Sequence, residues 1–149
     1  MVLLAEHHKD EAGTNKLIGF FGRFGWKATA SPARPTERSG KGTTGGVVAA
    51  VKNHIDSRPP SFAIDIEGKL TDSAQLTGRM IVLSKIEILT LAGYLISGLG
   101  FSGTNKEFLI DVDFVTRGGK VPFILGLDAN ETPNHGTTWS GGKQLFSNI

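Results

Sequence analysis

The sequence predicts a mixed α/β domain of the α+β kind, a sandwich whose sheets combine antiparallel strand pairs with helical crossovers. Two observations predict it. Through the middle of the chain, apolar runs at strand spacing follow one another with no helix between them, which calls for antiparallel neighbours. Two helical periodicities, one early and one late, flank that run, and the second leads into a further strand. A doubly wound parallel sheet would alternate strands and helices and fits this order less well.

Met1-Val2-Leu3-Leu4-Ala5 opens the chain as a short apolar run of the kind found in buried strands, ending on the charged cluster Glu6-His7-His8-Lys9-Asp10. From Asp10 to Phe24 the residues Leu17, Ile18, Phe20, Phe21 and Phe24 recur at helical spacing, with acidic residues early and Gly25 as the stop. Trp26 to Ala30 reads as a short strand. Ser31 to Gly46 is dense in Pro, Gly, Ser and Thr and reads as a long loop. Val47 to Val51 reads as a strand and Ser57-Arg58-Pro59-Pro60 as a turn. Phe62, Ile64 and Ile66 alternate with polar or small residues as in a half-buried strand. Two more strands are expected at about Arg79 to Leu83 and Ile86 to Tyr94. After the Gly-rich loop from Gly98 to Thr104, Phe108, Leu109, Val112 and Val115 place an amphipathic helix over Asn105 to Thr116. Val121 to Leu125 is the last expected strand, and 134–149 reads as an irregular tail.

A length of 149 residues suits one domain spanning 1–149, with no internal repeat or heptad. With 16 basic and 14 acidic residues the charge is nearly balanced, which permits a phosphate-bearing partner without arguing for one. The absence of cysteine excludes disulfides, thiolate zinc sites and cysteine nucleophiles, so any metal is held by oxygen or imidazole. No basic, apolar leader and no run of roughly 18 apolar residues is seen, so the expectation is a soluble chain without signal peptide or membrane span.

The strongest candidate for chemistry is the last strand, expected to deliver Asp128, Asn130 and Glu131 just beyond its carboxyl end, where sites on packed sheets are built. Alternation points Asp128 and Asn130 the same way, and a carboxylate beside an amide can orient a water or hold a phosphate oxygen. Asp, Asn, Thr and Pro also favour plain turns, which is the bland alternative. Glu6 occupies the equivalent place after the first strand, and a lone carboxylate there suits Mg²⁺. His7 and His8, as neighbours on a strand, would face opposite ways, so they read as surface residues and not as a zinc pair. Ser39-Gly40-Lys41-Gly42-Thr43-Thr44-Gly45-Gly46 fails as a phosphate-binding P-loop, because Gly42 follows Lys41 and a strand, not a helix, comes next. A close backbone approach at Gly45-Gly46 is the expectation there. Tyr94, the one tyrosine, closes an apolar strand and by default packs at the core edge. Asp65, Glu67, His54, His135 and Trp139 are assigned no role.

Taken in order, these segments resemble the endonuclease/exonuclease/phosphatase superfamily, the DNase I-like and apurinic endonuclease-like enzymes. Leu3-Leu4-Ala5-Glu6-His7-His8 resembles the family's strand ending in Gln-Glu. Gly45-Gly46-Val47-Val48-Ala49-Ala50-Val51 resembles its strand opened by a Gly-Gly pair after a long loop. Leu89 to Leu95 resembles its strand ending in Val-Tyr-Leu-Pro. Pro122 to Pro133, with Gly126-Leu127-Asp128-Ala129-Asn130, resembles its Gly-Asp-Phe-Asn signature, the most specific of the four. The chain departs from the pattern in three ways. Ala5 stands for Gln, Leu127 intrudes before Asp128, and neither the family's upstream strand carrying Asn nor its terminal Ser-Asp-His is matched.

The resemblance implies a DNase I-like α/β sandwich, incomplete at both ends, with mixed sheets flanked by helices. It implies Mg²⁺ (or Mn²⁺) held by Glu6, a nucleophile oriented by Asp128, phosphate or metal held by Asn130 and a phosphate contact from Tyr94. DNA, RNA or another phosphoester is the implied substrate. Without a counterpart of the catalytic histidine, little hydrolysis by this chain alone is expected, as from a fragment of a longer parent chain or a retroelement-derived remnant. The rival expectation is a non-catalytic module on the same sandwich that binds phosphate ligands or protein.

Overall fold

The computed structural model describes residues 1–35, 42–60, 75–100, 102–117 and 122–129. Nine strands and two helices are described: β1 (Val2–Ala5), α1 (Glu11–Arg23), β2 (Trp26–Ser31), β3 (Arg34–Pro35), β4 (Thr43–Thr44), β5 (Val47–Lys52), β6 (Ser57–Arg58), β7 (Leu76–Leu83), β8 (Ile86–Tyr94), α2 (Gly103–Arg117) and β9 (Phe123–Asp128). Three strands form one sheet in the order β1-β5-β2, all antiparallel. Four form a second in the order β6-β7-β8-β9, antiparallel except for the parallel pair β8–β9, which α2 connects. The second sheet is therefore mixed, as the element order requires.

The two sheets are stacked. Val47 and Ala49 of β5 form one buried cluster with Ala92 and Tyr94 of β8, and Leu3, Ala5 and Ile96 pack against it. On the other face of the second sheet, Leu76, Met80, Leu89 and Leu91 bury Phe108, Val112 and Val115 of α2, the stripe that helical spacing marks. Val47 to Val51 lose all solvent exposure, so β5 is covered on both faces, which is why it reads as a continuous apolar run. Side-chain hydroxyls add cross-ties between sheets: Thr29 Oγ1 donates to the Gly78 carbonyl at 2.6 Å and Ser31 Oγ to the Leu76 carbonyl at 3.0 Å.

α1 begins where Asp10 accepts the Gly13 N–H at 2.8 Å, an N-cap that also places a carboxylate at the positive end of the helix. It ends at Phe24 and Gly25, whose N–H groups turn back onto the carbonyls of Phe20, Phe21 and Gly22. The helix lies against β2.

Several expectations are corrected. Ser57-Arg58 is a two-residue strand and not a turn: it pairs with Met80 and Ile81, and buried Arg79 reaches back to Ser57 Oγ and its carbonyl at 3.3 and 3.2 Å. The expected loop from Ser31 to Gly46 contains a small ribbon, β3 with β4. β7 starts at Leu76, three residues earlier than its apolar run suggests. β1 is half-buried where a buried strand was expected, with Leu4 turned outward. The last strand runs to Asp128, so that residue closes β9 and does not follow it, because its pairing with β8 continues through Tyr94. The strand expected at Phe62 to Ile66, the residues Asp65, Glu67, His135 and Trp139, and Asn130 and Glu131 lie outside the described residues.

Candidate active site

β8 and β9 run parallel, so their carboxyl ends finish together, with Tyr94 opposite Asp128 and Ala92 opposite Gly126. Strand alternation settles which face each side chain takes. Leu89 and Leu91 of β8, with Phe123 and Leu125 of β9, belong to the cluster under α2. Ala92, Tyr94, Gly126 and Asp128 therefore share the opposite face, toward the first sheet. There β1 crosses β9 closely. A Cβ on Gly126 would stand 3.0 Å from Leu3 Cβ and 2.9 Å from its Cδ1, so only glycine admits β1 at this distance. Leu3, Ala5, Gly126, Leu127 and Asp128 line an open cleft of about 390 Å³. Ala5, the residue before Glu6, and Asp128 thus border the same space.

Beyond Ala5 the chain leaves strand geometry. Glu6 and His8 have positive φ, 56° and 52°, where non-glycine residues are uncommon. The bend is held against the Gly-Gly turn before β5: the His7 and His8 N–H groups donate to the carbonyls of Gly46 and Gly45 at 3.2 and 3.1 Å. Thr43 Oγ1 donates to the His8 carbonyl at 2.7 Å, and the His8 ring meets the Thr43 carbonyl at 3.0 Å. The close approach expected at Gly45-Gly46 is present. At Gly46, with φ of 85°, a Cβ would stand 2.5 Å from Cε1 of His7.

His7 is accordingly half-buried and tied down, where a surface residue was expected. Its Nδ1 accepts the Lys9 N–H at 3.0 Å, which leaves the proton on Nε2, and Nε2 donates to the Ser31 carbonyl at 3.0 Å. Burial holds the imidazole below its ordinary range; the bond to Ser31 works against that, and the charges of His8 and Lys9 add to it. His8 is exposed, as expected.

Tyr94 is 3% exposed and packs in the core between the sheets, as its default reading holds. Its hydroxyl lies 3.2 Å from Thr44 Oγ1. Thr44 immediately precedes the Gly-Gly turn that holds the Glu6 bend. Of the four residues singled out in the sequence, then, Glu6, Tyr94 and Asp128 stand on segments that meet at one end of the stacked sheets, and Asn130 lies outside the described residues.

Sequence reasoning missed Thr44, the structural part of His7, and Asn105. Asn105, fully buried, is the hub of the turn that follows Tyr94. Its Oδ1 accepts from the Ile96 N–H at 2.8 Å and Gln75 Nε2 at 3.3 Å, and its Nδ2 donates to the Ile96 and Gly100 carbonyls at 2.9 and 2.8 Å. The one signal for it was its place at the start of a helix after a Gly-rich loop, which marks a cap and not a hub.

The oxygen donors at this end suit a hard divalent cation that keeps much of its water shell, since Mg²⁺ asks for only one or two carboxylates. Among the described residues no three His, Asp or Glu side chains cluster as a dedicated metal cage. An imidazole ligand from His7 does not fit, because backbone groups occupy both its nitrogens.

No protein-family model matches the chain, and no curated protein sequence does so significantly. Solved structures do. The endonuclease domain of TRAS1, a telomere-specific non-LTR retrotransposon, aligns with a TM-score of 0.52 and 19% identity over 83% of this chain and 50% of that one. The human Nocturnin catalytic domain with bound sulfate anion aligns with a TM-score of 0.55 and 16% identity over 89% of this chain and 52% of that one. The chain spans about half the length of each. Both neighbours have the DNase I-like, endonuclease/exonuclease/phosphatase-type fold, and at these identities the likeness is one of fold.

Proposed function

We propose that this DNase I-like sandwich carries the metal-binding and phosphate-contacting part of a divalent-metal-dependent phosphodiesterase site for nucleic acid, and that its own turnover is weak. The observation that supports the reading best is the meeting of three segments distant in sequence. β1 leads to Glu6, β8 ends on Tyr94, and β9 ends on Asp128 beside Tyr94 and in the same cleft as Ala5.

In this reading Glu6 holds Mg²⁺ or Mn²⁺, with Asp128 at hand as a second oxygen donor. The ion, when bound, supplies positive charge to a phosphate oxygen. The Asp128 carboxylate, as an acceptor, orients a water for attack on phosphorus. Asn130, two residues on in sequence, is the residue that would offer an amide to phosphate or metal. Tyr94 and Thr44 form a hydroxyl pair able to donate to a phosphate oxygen, at the expense of the bond they now share.

Weak turnover follows from the histidines. Both nitrogens of His7 are engaged, the His8 ring is bonded to Thr43, and His54 sits exposed past the far end of β5, so among the described residues no imidazole is placed to take the proton of the attacking water. Removing one member of a concerted catalytic set commonly lowers rates by several orders of magnitude. We further propose descent from a retroelement endonuclease, as a remnant or as part of a longer chain; the fold shared with the TRAS1 domain is compatible with it.

The test combines Mn²⁺ titration with Mg²⁺-dependent nicking of supercoiled DNA. Expected are Mn²⁺ binding that Glu6→Gln abolishes and slow nicking that Asp128→Ala abolishes. Robust turnover would overturn the weak-turnover part. Mn²⁺ binding with no nicking at any protein concentration would favour a non-catalytic module that binds phosphate ligands on the same fold. No Mn²⁺ binding would overturn the metal reading.

A further inference from the structure

Two non-glycine residues with positive φ, Glu6 and His8, stand on either side of one half-buried histidine. Such conformations persist only where the surroundings over-determine them. The surroundings here are specific to His7. Its Nδ1 closes a local turn by accepting the Lys9 N–H, and its Nε2–H ties that turn to the Ser31 carbonyl at the end of β2. The ring lies in a slot that exists because residue 46 has no Cβ. Its own N–H bonds the Gly46 carbonyl, so backbone and side chain grip the same turn.

We infer that His7 is a positioning residue for Glu6: wedged against Gly46 and bonded through both ring nitrogens, it fixes the left-handed bend from which the Glu6 carboxylate is presented to the metal. This rests on the reading of Glu6 as the metal ligand. A strand continuing past Ala5 in extended geometry would send Glu6 and His7 to alternate faces, with neither carboxylate nor ring restrained. The bend replaces that geometry, and among the described residues the side chain that closes it by bonding to both the turn itself and β2 is His7. The role is that of an outer partner which orients a ligand without touching the metal, a class of residue whose loss typically weakens metal affinity about 10- to 100-fold.

The experiment measures Mn²⁺ affinity by calorimetry on the full chain, with folding followed by circular dichroism. The variants are His7→Ala, which removes both ring bonds, and His7→Gln, whose amide can donate to the Ser31 carbonyl but puts no acceptor at the Nδ1 position that faces the Lys9 N–H. Val112→Ala, in the core under α2, serves as a control of lowered stability remote from the bend. Affinity is expected to fall about 10-fold or more in His7→Gln and at least as far in His7→Ala, with Val112→Ala binding as the wild type does. Should His7→Ala not fold, His7→Gln alone decides. A folded His7 variant with wild-type Mn²⁺ affinity, when Glu6→Gln has none, overturns the positioning role and leaves Glu6 as the ligand. Wild-type protein that binds no Mn²⁺ overturns the metal reading, and this inference with it.

Discussion

The two sides of the candidate site are built by different physics. Tyr94 and Asp128 are placed by regular structure: a parallel pairing six residues long, with each strand backed by the apolar stripe of α2. Glu6 is placed by an irregular corner of two left-handed residues, a glycine pair and a histidine bonded at both nitrogens. Regular structure spreads the cost of position over many contacts. A corner concentrates it in a few bonds, so single substitutions should act on the two sides differently.

The largest effect is expected on the regular side. Phe108, 1% exposed, is the largest fully buried side chain among the described residues, and Phe108→Ala should destabilise by about 3–5 kcal/mol in urea unfolding. A loss near 1 kcal/mol would mean that α2 contributes little and would erase the contrast drawn above. Next is the seam where the two sides meet. Gly126→Ala places a Cβ against Leu3 and should cost about 1–3 kcal/mol by overpacking. Leu3→Ala in the same chain should recover part of it, and a double-mutant cycle with additive effects would show that β1 and β9 do not press on each other.

The smallest effect concerns the corner, and its sign follows from His7. Burial lowers the folded-state pKa of this imidazole beneath the ordinary value of about 6.5, so the unfolded chain takes up the proton first as pH falls. The stability it contributes is complete above that ordinary value and is lost as pH falls through the lower folded value. Unfolding in EDTA across that window should show the loss in wild-type protein and a flatter profile in His7→Gln; identical profiles would mean the corner does not feel the charge.

The same contrast explains what the sequence disclosed. Apolar pattern marked α2, β5 and β8 because burial on one face or both imposes it, and spacing alone marked α1, whose Phe20 stays exposed. It ended β9 early, at Leu125, since the glycine at 126 interrupts the apolar run while strand pairing carries on to Asp128. Glu6 and Asp128 could be singled out as candidates from the order of local motifs, and the fold brings their segments to one end of the sheets. The corner was not legible, because positive φ is uncommon for any non-glycine residue and no local signal calls for two such residues out of three; that geometry comes with contacts to residues 31 and 43 to 46, remote in sequence. Thr44 and Asn105 escaped for the same reason. Their partners, Tyr94 for one and Gln75, Ile96 and Gly100 for the other, are set by the fold and not by spacing.

The parallel union of β8 and β9 carries an evolutionary implication. Because Tyr94 and Asp128 are paired in register, their spacing is that of adjacent strands, roughly 4.8 Å between backbones, whatever the length of the chain joining them. The crossover is thereby decoupled from the chemistry. Insertions at the exposed turn near Gly98 can accumulate and redesign what approaches the cleft, while Tyr94 in the core and Asp128 at the cleft stay in step.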